Sequence, residues 1–154
     1  MRTAFGYLAV LWASFFTGTM ICIGIAFGGY WRSLPPDAFL AWFAANEGFI
    51  ARAIQVVAGP AALGLLASLW LARHDRTRRP AWLLAVASMA GVGFVTAVYH
   101  LPTNAAFANG AVASAAVPAT LAMWLWLHAL RIALGVLASG AALHAVEKGQ
   151  SVSG

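Results

Sequence analysis

Charged residues are so unevenly placed along this chain that the gaps between them outline its elements. No charge occurs in residues 3–31, and a second charge-free run covers 53–72, after Glu47 and Arg52. A membrane-crossing helix needs about 20 mostly apolar residues. The pattern therefore predicts spans at 5–28, 47–72, 81–101 and 120–145. The first outruns the apolar core of a signal peptide and is expected to be retained, although Arg2, Ala13 and Ser14 imitate one. Asn46, a residue type that caps helices, marks the expected start of the second. The third is expected to begin after Pro80 and to stop at Pro102, because proline suits a helix start and breaks a helix from its far side. Pro35-Pro36-Asp37 followed by Phe39, Leu40, Trp42 and Phe43 predicts a short interfacial helix in the first connection, placed to act as a lid. Four helices with short connections give an all-α, up-down transmembrane bundle, with residues 1–154 as one domain. Close approaches are expected at Gly24 and Gly28, at Gly91 and Gly93, and at Gly135 and Ser139. Pro60 predicts a kink in the second span.

Composition supports the membrane reading. Of 154 residues 62% are apolar and only 8% charged, against about 25% charged in soluble domains. That excludes a soluble globular protein and a disordered tail. The net charge of +5 is not spread over a surface that could follow a phosphate backbone, so no nucleic-acid partner is expected. The partner expected instead is the lipid bilayer. Arg73, Arg76, Arg78 and Arg79 fill the connection between the second and third spans, and Arg2 and Lys148 fall on the same side. An excess of Lys and Arg marks the cytoplasmic side. Both termini are thus expected in the cytoplasm, in a multi-pass protein of the inner membrane. The connections 29–45 and 102–119, which hold only Arg32 and Asp37, face outward. The single cysteine, Cys22, excludes a disulfide framework and is expected to be a buried, inert thiol.

Candidate chemistry lies in the polar residues that enter the apolar spans, where each is costly. Arg131 stands about ten residues, or roughly 15 Å, into the fourth span. Trp124, His128, Arg131, Gly135 and Ser139 follow at spacings of three and four and share one helix face. Arg52, Gln55 and Gly59 form a similar stripe in the second span, and Thr96, His100 and Asn104 follow one another in the third. All the large polar members fall in the outer half, which predicts one polar pocket there. Glu47 is the acid near that level and is the expected ion-pair partner of Arg131 or Arg52. His100, His128 and Glu47 form a donor set that suits zinc, copper or non-haem iron. Without a metal, His128 or His100 is a candidate general base beside the cationic Arg131. The plainer readings are a solvated His100, a snorkelling Arg52, a His128 bonded to a neighbouring helix, and a non-enzymatic assembly subunit or small carrier held by a Glu47–Arg131 pair.

Asn46 followed by Arg52, Pro102-x-Asn104, and Trp124-x-x-x-His128-x-x-Arg131 resemble the anthrone oxygenase-like family of small four-helix membrane proteins. The resemblance implies an oxygenase that converts an anthrone, a polycyclic phenol tautomer, to an anthraquinone with molecular oxygen and without an evident organic cofactor. It makes His128 the base, Arg131 the anion stabiliser, and Asn104 and Arg52 the groups that orient a small lipophilic substrate. Asn46, Gln55, His100 and Trp124 complete the expected binding set.

Overall fold

A computed structural model describes residues 2–150, with side chains from Ala4 to Gly149; the Arg2 side chain, used above for orientation, lies outside the described residues. Four helices are long and apolar enough to cross a membrane. The first, α1, joins Arg2–Cys22, a π-helical turn Ile23–Phe27 and Gly28–Ser33 into one rod. The second, α2, is Pro36–Leu71. The third, α3, joins Arg79–Val95, a second π turn Thr96–His100 and Leu101–Ala108. The fourth, α4, is Val117–Gln150, preceded by a 3₁₀ turn at Ser114–Ala116. No strand occurs among the described residues. Each helix packs on its chain neighbours and α4 returns to α1, which closes an up-down ring.

The helices run past the ends that charge alone suggested. At 36 residues α2 is about 54 Å long, well beyond a hydrocarbon core of about 30 Å. The segment expected as a separate interfacial helix is simply its first turns. Pro36 sits in the opening turn, where its missing N–H would lack a helical partner anyway, and Phe39 and Phe43 then turn inward and are buried. Asn46 consequently caps nothing. It is inside the helix, and its amide donates to the Trp42 carbonyl at 2.8 Å. Pro102 does not end α3 either. The π turn Thr96–His100 lies immediately before it; widening the ladder there accommodates a residue that has no N–H and whose ring would crowd the preceding turn.

Packing differs between the two ends of the bundle, with a third cluster of Phe16, Met20, Ala61 and Val92 besides. The half nearer the Arg73–Arg79 connection is built largely on Ala9, Ala13, Ala85, Ala141, Ala142 and Ala145, with Trp82 and Leu65. The other half is built on Ile23, Trp31, Phe39, Phe43, Phe107 and Trp124. Small residues let backbones approach: a Cβ on Gly135 would fall 2.9 Å from the Thr17 hydroxyl, and one on Gly28 2.7 Å from a Leu125 methyl. Thr17 and Ser139 share a hydrogen bond of 3.2 Å across α1 and α4. Gly93, by contrast, faces open space. Cys22 is exposed on the outside of α1, a correction to its expected burial, because the inward stripe of α1 runs through Phe16, Met20 and Ile23 instead.

The connections are fastened at both ends. Asp75 accepts hydrogen bonds from the Thr77 hydroxyl and from the Thr77 and Arg78 backbone amides, and the Thr77 bond leads in holding its carboxyl below the usual value. Arg78 donates to the Ala145 carbonyl at 3.1 Å, tying this connection to α4. At the opposite end Ser114 donates to Asp37, and Gly110, at φ 72°, makes the left-handed turn after α3.

Candidate functional site

All four helices contribute to one cavity of about 180 Å³ in the aromatic half of the bundle. Two of its walls are firm. Ile23 and Trp31 come from α1, Trp124, His128 and Arg131 from α4, and all five are buried. The three α4 residues meet there because spacings of four and three return to the same face. Gly24 lets that face come close: a Cβ at this position would be 3.2 Å from the His128 ring.

Hydrogen bonds define the two imidazoles. His128 Nε2 is 2.8 Å from the Met20 carbonyl of α1. A carbonyl only accepts, so neutral His128 carries its proton on Nε2 and leaves a lone pair on Nδ1. That Nδ1 is buried and has no partner. His100, placed by the π turn of α3, directs Nδ1 at the Val95 carbonyl at 3.4 Å, and its Nε2 is likewise buried and unpartnered. The same logic leaves the His100 lone pair on Nε2. Trp124 holds both rings. It stacks on His128 with centroids 4.9 Å apart and planes 14° apart, and meets His100 edge-on at 4.8 Å. Asn104 fixes that indole by accepting from Trp124 Nε1 at 2.8 Å.

Arg131 is only 3% exposed. Among the described residues its one hydrogen-bond contact is Nη2 to the Met20 sulfur at 3.5 Å, and its Nε has no partner. A thioether is a weak acceptor. Glu47 lines the same cavity but is not within ion-pair distance; among the described residues the salt bridge found is Arg78–Asp75. The expected Glu47–Arg131 pair is therefore not formed. A buried guanidinium without an anion is costly, and the cavity leaves space beside it.

The expected site residues divide sharply. His100, Asn104, Trp124, His128, Arg131, Glu47, Gln55 and Thr96 line the cavity, whereas Arg52 and Asn46 do not. Arg52 is exposed on another face of α2. The inward stripe of α2 runs through Phe43, Glu47, Ile50, Ala51 and Ile54, so Arg52 lies off it. Trp31, Phe43 and Ile23 are lining residues that the search for polar groups passed over. An apolar repeat at 39, 43, 47, 50 and 54, interrupted only by Glu47, was the available signal. The unpartnered nitrogens of His100 and His128, on rings 6.1 Å apart, offer a metal two ligands. Glu47 does not join them: no group of three or more His, Cys, Asp or Glu suited to a metal occurs among the described residues.

Four long apolar helices define a multi-pass α-helical membrane protein. The family model for anthrone oxygenase matches residues 47–141, which covers most of α2, all of α3 and most of α4, and the chain belongs to that family. No curated protein and no solved structure matches the chain.

Proposed function

We propose that this protein is a membrane oxidoreductase of the oxygenase type, acting on a small lipophilic compound with an acidic aromatic hydroxyl or activated methylene group. Family membership supports the reaction class. The observation that carries the assignment to this cavity is Arg131, which lines it beside His128 and is buried with no carboxylate in ion-pair range among the described residues. An anion formed within the cavity supplies what the guanidinium lacks.

In this reading His128 Nδ1 removes a proton from the substrate, and Arg131 holds the resulting enolate or phenolate oxygen. The Met20 carbonyl keeps His128 in the tautomer that presents Nδ1, and Trp124 keeps the ring's plane. For a methylene substrate the enolate gives its electrons to molecular oxygen. The CH₂ group becomes C=O, one oxygen atom enters the product and the other leaves as water. The reading requires no cofactor. It places the protein in the inner membrane with the Arg73–Arg79 connection and both termini in the cytoplasm, by the charge bias of the connections, and the cavity in the outer half.

Oxygen uptake by the purified protein in lipid nanodiscs tests this directly. Saturable consumption of one oxygen per substrate, absent from empty nanodiscs, is expected with anthrone-type or phenolic substrates. Uptake no greater than in empty nanodiscs across such a panel contradicts it.

A further inference from the structure

The cavity's opening indicates where its ligand comes from. Every lining residue from α1 and α4 is buried, as are Phe43 and His100. The remaining liners, Glu47, Ile50, Ala51, Ile54 and Gln55 of α2 and Thr96, Leu101 and Asn104 of α3, are half-buried or exposed, with Leu101 59% exposed. The opening is therefore a slot between α2 and α3. It does not lead out through the end of the bundle, because Trp31, Phe39, Phe43 and Phe107 fill that end, each at most 2% exposed, with the Phe39 and Phe107 rings 4.9 Å apart. Gln55 stands sixteen residues beyond Phe39, about 24 Å along α2. On the α3 side of the slot the surface is apolar: Phe94 and Val98, which share a face with Leu101, are both more than 60% exposed. In a membrane-spanning bundle such a surface faces lipid.

Size adds a second constraint. A cavity of about 150 Å³ holds one benzene ring, so the space of about 180 Å³ takes one substituted ring, and the rest of a fused tricycle would have to lie in the slot. Trp31, His100, His128 and Arg131 line the cavity and each has a buried nitrogen without a hydrogen-bond partner, donors on Trp31 and Arg131 and acceptors on the two imidazoles, which suits a substituent that both donates and accepts, a hydroxyl.

We infer that the ligand is a single-ring phenol or quinol carrying an apolar tail, which enters sideways from the bilayer between α2 and α3. The ring occupies the cavity, and the tail stays in the slot and the lipid beyond it. This rests on reading the cavity as a site for an acidic aromatic hydroxyl compound, and within that reading it favours a single-ring member over a tricyclic one.

Equilibrium binding in nanodiscs, corrected for partition into empty ones, tests the inference with radiolabelled 4-dodecylphenol, phenol and anthrone. Saturable binding of one dodecylphenol per protein is expected, at least tenfold tighter than anthrone. Ala51→Phe, which narrows the slot, is expected to weaken dodecylphenol at least tenfold and phenol less than twofold. Leu101→Trp, on the exposed facing side, repeats the test should Ala51→Phe misfold. Anthrone binding as tightly as dodecylphenol, or slot variants that leave dodecylphenol unaffected or weaken both phenols equally, overturns the inference. The oxygenase reading fails separately: dodecylphenol that binds at the cavity with no oxygen uptake from any substrate sinks that reading and leaves the ligand assignment standing.

Discussion

Arg131→Met is expected to abolish substrate-dependent oxygen uptake while leaving the bundle at least as stable as before. The two effects separate because the guanidinium is buried at 3% exposure with a thioether as its contact and no carboxylate in range. Replacing buried ionic groups by apolar residues of similar volume is often neutral or stabilising, by about 1–4 kcal/mol. Methionine follows much of the arginine stem and leaves the Met20 contact apolar. Removing a preorganised donor to a developing oxyanion costs a factor of about 10²–10³ in turnover. A thermal melt in detergent and an oxygen electrode read the two effects independently. A loss of Tm of several degrees would make Arg131 a structural partner, contrary to its isolation in the cavity.

The second large effect is expected at His128. Loss of a positioned general base costs about 10²–10⁴ in rate, so His128→Ala is expected to reduce oxygen uptake by that order with a smaller change in substrate affinity. The stability loss is expected to be modest. What His128 gives the fold is one hydrogen bond to the Met20 carbonyl and a stacked contact with Trp124, and one such bond is worth about 1 kcal/mol. His100→Ala distinguishes the two rings. His100 reaches its carbonyl at a longer 3.4 Å within its own helix, and it serves in this account as an acceptor for the ligand. Its removal is expected to weaken binding more than turnover. Equal uptake by wild type and His128→Ala would remove His128 from the base role.

The α4 part of the site was legible in the sequence because one helix carries it. Trp124, His128 and Arg131 share a face by spacing alone, and burial confirms that this face is inward. Across helices the sequence was less informative. In α2, polarity pointed to Arg52, yet the helix turns Phe43, Glu47, Ile50 and Ile54 inward. A polar residue near the end of an apolar run can face outward as readily as inward, and single residues do not reveal the rotation of a helix. Phe43 read as part of an interfacial helix and not as a cavity wall, and Trp31 carried no polar signal to set it apart from the rest of the first apolar run. The π turns at Ile23–Phe27 and Thr96–His100 have no sequence signature comparable to a cap or a proline. Pro102 hinted at the second, but as a helix end; the widened turn before it carries α3 onward to Ala108 and brings Asn104 to Trp124. The four spans themselves were evident from the charge gaps, and only their ends moved, since these helices continue beyond the apolar runs.

The central claim is that the cavity binds its ligand as an anion at Arg131. The ultraviolet absorption of a bound phenol reports this, because the phenolate band lies at longer wavelength than that of the neutral phenol. With dodecylphenol saturating the protein in nanodiscs at neutral pH, where the free compound is protonated, the account predicts a phenolate band for the unsubstituted protein and its loss in Arg131→Met. A bound phenol that shows only the neutral spectrum in both proteins would contradict it.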